Sequence, residues 1–527
     1  MTILKRLREA LVPVFAIIVL IAVNANAQKI SWYVDNALAT GNNDGTSWAN
    51  AWRSFAAVNW ASIQPGNTLY VSGGSTSKTY TESVTIRASG TSGSPITIAI
   101  DAANASHNGT VIFDYDADGD TSSRTGILVN RDYVTFNGTV GTANHIQIRN
   151  LRNILTRGSA SAIAGGGTGL IFDHVTFTND NNGLTISPAM NLEVHNCRFE
   201  QIRGDRAIFA STSGSWDASR IHDNYIETMT NTSTPPSGSG SYVGPDGIQG
   251  GSGISIYNNE FKHITTSVYT SNQHPDMLQM QGNYIKVYGN RFTNVGDSVF
   301  DYDAYSNANP HDIRVYNNVF RILTSIDPYP EYFRFYASAN SIASITNVKI
   351  LNNDFVDNTG GYRAIRFDSF GGNPTGAGNE IKNNIFYNVG NGTSSDPIIN
   401  IDNSTGFTPS SFSFEANIYY QPGRTQYISF RGTSYTAANW MALNEPKAKS
   451  GQAPAFASYT AFANANDYHL QAADSVAKDA GVDLSAYFSS DKDRMTRPQG
   501  VAWDGGAYEF TAEHAPEAPT GLAATVR

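Results

Sequence analysis

The sequence predicts an all-β chain wound as a parallel β-helix, a solenoid of short strands. Three observations predict it. A short phrase recurs along the chain, the composition favours strands and turns, and the recurring unit holds no helix-length pattern.

The phrase is a β-branched strand followed by Asn-x-Phe or a close variant. It occupies residues 170–177, 192–199, 220–226, 254–261, 285–292, 313–320, 348–355, 380–386 and 412–419. Its closing residues lie 22 to 35 positions apart, so the shortest interval sets the bare unit and the longer ones carry loop insertions. A unit of two or three strands cannot bury its own apolar face, but stacked copies can. A propeller blade would need a period of roughly 40–50 residues. A leucine-rich repeat would need Leu at regular spacing, which this chain lacks.

Within Ile254-Ser-Ile-Tyr-Asn-Asn-Glu-Phe, the strand period places Ile254 and Ile256 inward and Ser255 and Tyr257 outward. Asn259, Asn290, Asn318, Asn353, Asn384 and Asn417 then share one turn position. Stacked amides there would bond along the solenoid axis and satisfy buried turn backbone.

Composition narrows the function. Only 15% of the 527 residues are charged, 47 are Gly and one is Cys. The net charge of −10 argues against nucleic acid as a partner. A single Cys excludes a disulfide framework and a cysteine-rich zinc site, and Cys197 reads as a small buried apolar residue. Residues 1–27 read as a secretory signal: Lys5, Arg6 and Arg8, an apolar run over 10–23, then Ala25-Asn26-Ala27. The expectation is a secreted or periplasmic monomer with no stable membrane anchor. Loss of this leader, net +2, would take the charge from −10 to −12.

The two ends carry further phrases. The opening holds Tyr33-Val34-Asp35, Asn43-Asp44-Gly45-Thr46-Ser47 and the turn Pro65-Gly66-Asn67-Thr68. The close holds Tyr468-His469-Leu470, Arg497-Pro498-Gln499-Gly500 and Asp504-Gly-Gly-Ala-Tyr-Glu-Phe510. On these phrases, residues 30–510 resemble right-handed parallel β-helix proteins of the pectate-lyase-like superfamily, of the secreted carbohydrate-active type. The resemblance implies a right-handed parallel β-helix domain over 28–510. It implies an N-terminal cap over 28–70 built on a short helix at 52–63, and a closing segment over 460–510. Residues 511–527 read as a linker-like tail that resembles the start of a fibronectin type III module.

Chemistry is sought in outward-facing columns, where residues of successive coils stand ~4.8 Å apart. Aligning one strand per coil places Ile208, Ile248, Leu278, Phe300, Phe333, Ile365 and Ile399 toward the core. The next residue of each then faces out: Phe209, Gln249, Gln279, Asp301, Arg334, Arg366 and Asn400. Asp303 lies one step further on that face. Asp246 and Asp276 precede two of these strands in a repeated Pro-Asp-x-apolar-Gln, and His274 adjoins Asp276. Converging carboxylates suit a Ca²⁺ site or an acid/base pair. An ordinary turn and a stacked Gln ladder explain the same residues without chemistry. A second column holds Lys286, Arg314 and Lys349 beside Tyr257, Tyr288 and Tyr316, either contacting sugars or forming a solvated face. Inserts over 230–243, 304–312 and 325–331 would wall a groove.

The resemblance implies a polysaccharide substrate, and three readings follow. The first is a lyase cleaving a uronate-containing, anionic polysaccharide by β-elimination. Its catalytic set is Asp276, Asp301, Arg334, Arg366 and His274, with Arg334 or Arg366 as base. Its Ca²⁺ ligands are Asp246, Asp276, Asp301 and Asp303, and substrate is bound by Gln249, Gln279, Asp303, Lys286, Arg314, Tyr288 and Tyr316. The second is a glycoside hydrolase using two of Asp276, Asp301 and Asp303. The third is a glycan-binding or surface β-helix without catalysis.

Overall fold

The structure is a computed structural model. It describes residues 30–115, 125–151, 160–228, 245–264, 275–303, 309–324, 330–336, 342–358, 363–367, 373–389, 396–401 and 406–512. The signal at 1–27, His274 and nearly all of the C-terminal tail lie outside these residues.

Each coil contributes one strand to each of three sheets. Sheet A starts at Ser31–Val34, sheet B at Ser77–Tyr80 and sheet C at Val84–Ile86. The described strands form ladders of 14, 13 and 13, and coil pairs with coil in parallel until a closing hairpin, Ile428–Phe430 with Thr433–Tyr435. This is a parallel β-helix. The alternation read in residues 254–261 holds, since Ile254, Ile256 and Phe261 are fully buried. The Phe of the recurring phrase builds the spine of the core. Phe261, Phe292, Phe320, Phe355, Phe386 and Tyr419 stack at 4.7–5.3 Å between ring centres.

The short turn from sheet A to sheet B explains the doubled Asn of the repeat. The first residue takes a left-handed backbone at Asn258, Asn317, Asn352 and Asn383, with φ of 49–57°. Asn tolerates that region better than other side chains do. The second residue joins a continuous amide ladder. Asn224 Nδ2 donates to Asn259 Oδ1, and the chain runs on through Asn290, Asn318, Asn353 and Asn384 to Asn417, each link 2.9–3.0 Å. Each of those Oδ1 atoms also accepts the main-chain N–H of the Asn before it in the ladder. Cys197 occupies the rung before Asn224, buried, with its N–H donated to Asn224 Oδ1.

The ladder needs an acceptor at its end, and Glu445 supplies it. Its carboxylate accepts from Asn417 Nδ2, the Asn417 N–H, Tyr419 Oη and Trp440 Nε1, all at 2.8–2.9 Å. Helix α1, Ala437–Asn444, is the one α-helix among the described residues. It drives Trp440 against Phe414 and Phe430 of the last coil and so covers that end of the core.

The opposite end departs from the expected helix at 52–63. A short 3₁₀ turn, Phe55–Ala57, stands there instead, with another, Trp48–Asn50, just before it. The N–H groups of Phe55 and Ala56 bond to the Glu82 carboxylate rather than starting an α-helix. The capping role survives: Trp52, Phe55, Val58 and Ile63 are buried, and Trp52 stacks on Trp32 at 5.3 Å. The closing segment folds back along the A–B turns. Asn352 Nδ2 donates to the carbonyls of Asp504 and Gly506, and a fully buried Arg497–Glu509 pair anchors the return at 2.8 Å. No helix among the described residues is long and apolar enough to cross a membrane.

Asn318→Ala tests the ladder. It removes the acceptor of the Asn290 side-chain and main-chain N–H groups and the side-chain donor to the Val287 carbonyl. A stability loss of about 3 kcal/mol or more is expected in urea unfolding, against about 0.5 kcal/mol for a neutral surface change.

Candidate functional site

The outward column of sheet C has the register expected from the sequence. Phe209, Gln249, Gln279, Asp301, Arg334, Arg366 and Asn400 pair in that order, coil to coil. Their core-facing neighbours Ile208, Ile248, Leu278, Phe300, Phe333, Ile365 and Ile399 are all fully buried. The connections that enter and leave this stretch of sheet C include the longest in the chain. Residues 229–244, 265–274, 304–308, 325–329 and 337–341 belong to them and lie outside the described residues.

A second polar column flanks the first at the start of each strand. Arg206 pairs with Asp246, and Ser298 with Glu331; Asp276 stands between Asp246 and Ser298, two residues before Leu278. The carboxylates are anchored by the next coil's backbone. Asp246 Oδ1 accepts the Asp276 N–H and Asp276 Oδ1 accepts the Ser298 N–H, both at 3.0 Å. Asp246 and Asp276 are therefore buried turn carboxylates, 3% and 0% exposed.

Charges in the two columns interlock. Arg334 Nε donates to Asp301 Oδ1 at 2.8 Å, and its Nη2 lies 3.3 Å from Asp297. Arg366 Nη1 lies 3.3 Å from Glu331, Arg206 donates to Gln249, and Gln249 Nε2 donates to Gln279 Oε1 at 2.5 Å. Asp301 is 2% exposed and Glu331 1%, so both carboxyls sit in a poorly hydrated layer. Burial alone lowers the Arg334 pKa, but Asp301, Asp297 and Asp276 outweigh it and hold the guanidinium charged, above its ordinary value. Glu331 goes the other way. Burial pushes its carboxyl up to about 7 against the pull of Arg366, Arg334 and Arg363. The layer thus pairs a firmly protonated cation with a carboxyl poised near neutrality, the separation that acid/base chemistry uses.

The predicted residues divide. Gln249, Gln279, Asp301, Arg334 and Arg366 share one face, with Asp246 and Asp276 at its edge. Asp303 pairs with Tyr336 in the same strands, and its side chain lies outside the described set. Lys286, Arg314 and Lys349 form the expected column on the neighbouring strand, in sheet A. There Lys286 bonds Asp217 at 2.6 Å, Arg314 lies over the Trp216 ring, and Lys349 bonds Glu380 at 2.6 Å. Tyr257, Tyr288 and Tyr316 stack face to face at 4.8 Å, and Phe488 of the closing segment covers the end of the stack at 4.5 Å. These residues are not brought to the sheet C face.

Arg206, Asp297, Glu331 and Arg363 are the site residues missed by sequence reasoning. Three of them were legible by extension. Asp246 and Asp276 lie two residues before a core residue, and that same offset picks out Arg206, Glu331 and Arg363.

Three of the four residues expected to hold calcium accept hydrogen bonds within the layer. Asp246 and Asp276 each spend an oxygen on backbone N–H, and Asp301 spends one on Arg334.

No protein-family model matches the chain, and no curated protein sequence does. Several solved structures are similar to it. A pectate lyase, Pel9A, is 16% identical over 92% of this chain and 97% of its own, with a TM-score of 0.47. A lacto-N-biosidase from Eubacterium ramulus is 12% identical over 76% of this chain and 68% of its own, with a TM-score of 0.44. A mannuronic-acid-specific family 6 polysaccharide lyase from human gut microbiota is 11% identical over 75% and 87%, with a TM-score of 0.43.

The Glu331 carboxyl binds its proton more tightly folded than unfolded, with a pKa of about 7 against 4.5. Its contribution to stability is therefore full below pH 4.5 and lost as pH rises through about 7. In Glu331→Gln, thermal unfolding followed between those pH values should show a shallower fall than the parent chain.

Proposed function

We propose that this chain is a carbohydrate-active enzyme, a lyase that cleaves a uronate-containing polysaccharide by β-elimination on the sheet C face. The observation that carries the proposal is the buried pairing of Arg334 with Asp301, beside the near-neutral carboxyl of Glu331. β-Elimination needs three things: a cation on the uronate carboxylate, a base at C5, and an acid at the leaving oxygen. Arg334 and Arg366 supply the cations. Because its neighbours hold Arg334 protonated, it serves charge neutralisation rather than proton abstraction. Asp301 takes the C5 proton. The C5 electron pair forms the C4=C5 double bond, the C4–O bond breaks, and Glu331 gives its proton to the departing oxygen. Gln249 and Gln279 stand on the same outward face and would bind sugar hydroxyls from there. No step is routed through calcium.

One observation also favours hydrolysis. A near-neutral Glu331 beside an acidic column is what an inverting glycosidase uses, one carboxyl as acid and one as base for water. One assay separates the two. Pectate, alginate, glycosaminoglycans and neutral glucans are incubated with the full chain, with and without Ca²⁺, following ultraviolet absorbance and reducing ends together. The proposal expects absorbance to rise with reducing ends on a uronate polymer, and Asp301→Asn to slow that rise by about 10²-fold or more. Reducing ends without absorbance would replace the lyase with the hydrolase. Neither signal on any polymer would overturn the enzyme.

A further inference from the structure

A cleft of about 980 Å³ among the described residues has no residue of sheet C in its lining. It runs along the A–B corner of the solenoid, over the outward column of sheet B. Thr176, Arg198, Tyr225, Glu260 and Arg291 stand there in register, one per coil. Both walls are additions to the bare coil. One is the hairpin Thr139–Val140 with Ala143–Asn144, tied down where Asn144 Nδ2 donates to Thr176 Oγ1 and the Asn196 carbonyl. The other is residues 492–494 of the closing segment, reached only after the whole helix has been built. That wall is held in place. The Lys492 N–H bonds the Ala507 carbonyl at 3.0 Å, Asp491 Oδ1 accepts from Asp493 and Met495, and His469 Nε2 meets Asp493 at 2.6 Å.

From these features we infer that the A–B corner cleft is a second, non-catalytic binding groove for a short acidic oligosaccharide. Its chemistry is polar. The Tyr225 ring is covered by the Arg198 guanidinium at 4.4 Å and the Lys262 ammonium at 5.4 Å, an environment that favours a polar ligand over a flat apolar one. Four cations line the cleft, Arg198, Arg291, Lys492 and Arg494, against the carboxylates Asp223, Glu260 and Asp493; Arg198 is also paired with Glu200, so Arg291 and the rim residues Lys492 and Arg494 carry most of the attraction for an anion. The column from Arg198 to Arg291 spans three coil steps of ~4.8 Å, a length that suits a few linked sugars. Arg494 stands ready at the rim. Its side chain is 73% exposed and only loosely held, 3.7 Å from Asp223. The uronate identity of the ligand rests on the proposed function; the groove itself does not.

The test is equilibrium binding of a uronate tetrasaccharide and a neutral glucan tetrasaccharide to the full chain, its Arg494→Glu variant and its Arg494→Lys variant. Melting temperature is followed alongside, and an exposed Arg494 leaves it unchanged. The inference expects the wild type to hold the uronate at one site beyond any on sheet C. Arg494→Glu should weaken that site about tenfold, Arg494→Lys should restore it, and the neutral tetrasaccharide should bind it more weakly. Uronate binding that ignores Arg494→Glu, equal binding of the neutral sugar, or no binding at all would overturn it. Turnover is read separately with the same sugars. If the chemistry on sheet C fails, the effect of Arg494→Glu on binding still decides this groove.

Discussion

The structure depends first on the amide ladder at the A–B turn. A parallel solenoid has no covalent register, and a one-residue slip of any coil would carry its core residues to the surface. The ladder prevents the slip by bonding each turn to the next at an atom that exists once per coil. Each Asn accepts twice and donates onward, so the row is polar along the axis and must begin with a donor and finish on an acceptor. Cys197 begins it with only its backbone N–H, and Glu445 finishes it with a carboxylate that four donors reach. The helix that positions Trp440 against the last coil therefore caps the hydrogen bonds and the apolar core together.

Register then decides electrostatics. Once the ladder aligns the coils, Asp301 falls beside Arg334 and Ser298 beside Glu331, and five carboxylates meet four guanidiniums around one stretch of sheet C. Buried charges are costly unless paired, and breaking one pair commonly costs about 3–5 kcal/mol. A solenoid that only needed to fold would fill these positions more cheaply. Sheet A shows the contrast, because its basic column is neutralised by Asp217 and Glu380 and overlaid by Trp216 and Tyr487. There the charges hold the closing segment and the 214–218 loop against the coil. On sheet C they pair with one another in a single outward layer.

Much of this was legible in the sequence because the repeat carries its own alignment. The doubled Asn marks the turn and the Phe two residues later marks the core, and aligning the strand after each loop puts the sheet C column in its correct register. Local context misled at residues 52–63, where apolar spacing implied a helix but Glu82, distant in sequence, captured the N–H groups that would have begun it. The basic column was legible as a second stripe on the neighbouring strand, but its neutralisation by Asp217 and Glu380 and its cover by Trp216 and Tyr487 were not, because those partners are distant in sequence. The burial of Asp246 and Asp276 was also hidden, because Asp after Pro has the same sequence signature at a surface turn and inside a coil. The corner cleft was invisible for a different reason: it joins residues 139–144 to residues 492–494, and no local pattern links them.

The central claim is that the Gln249–Gln279–Asp301–Arg334–Arg366 column is the face that holds the substrate at the reacting bond. The most direct measurement is a crystal structure of the full chain soaked with an oligouronate at low pH, where turnover is slow. The account predicts a sugar carboxylate within hydrogen-bonding distance of Arg334 or Arg366, with a ring lying across Asp301. An oligouronate seated elsewhere on the solenoid, with the sheet C face occupied only by water, would contradict it.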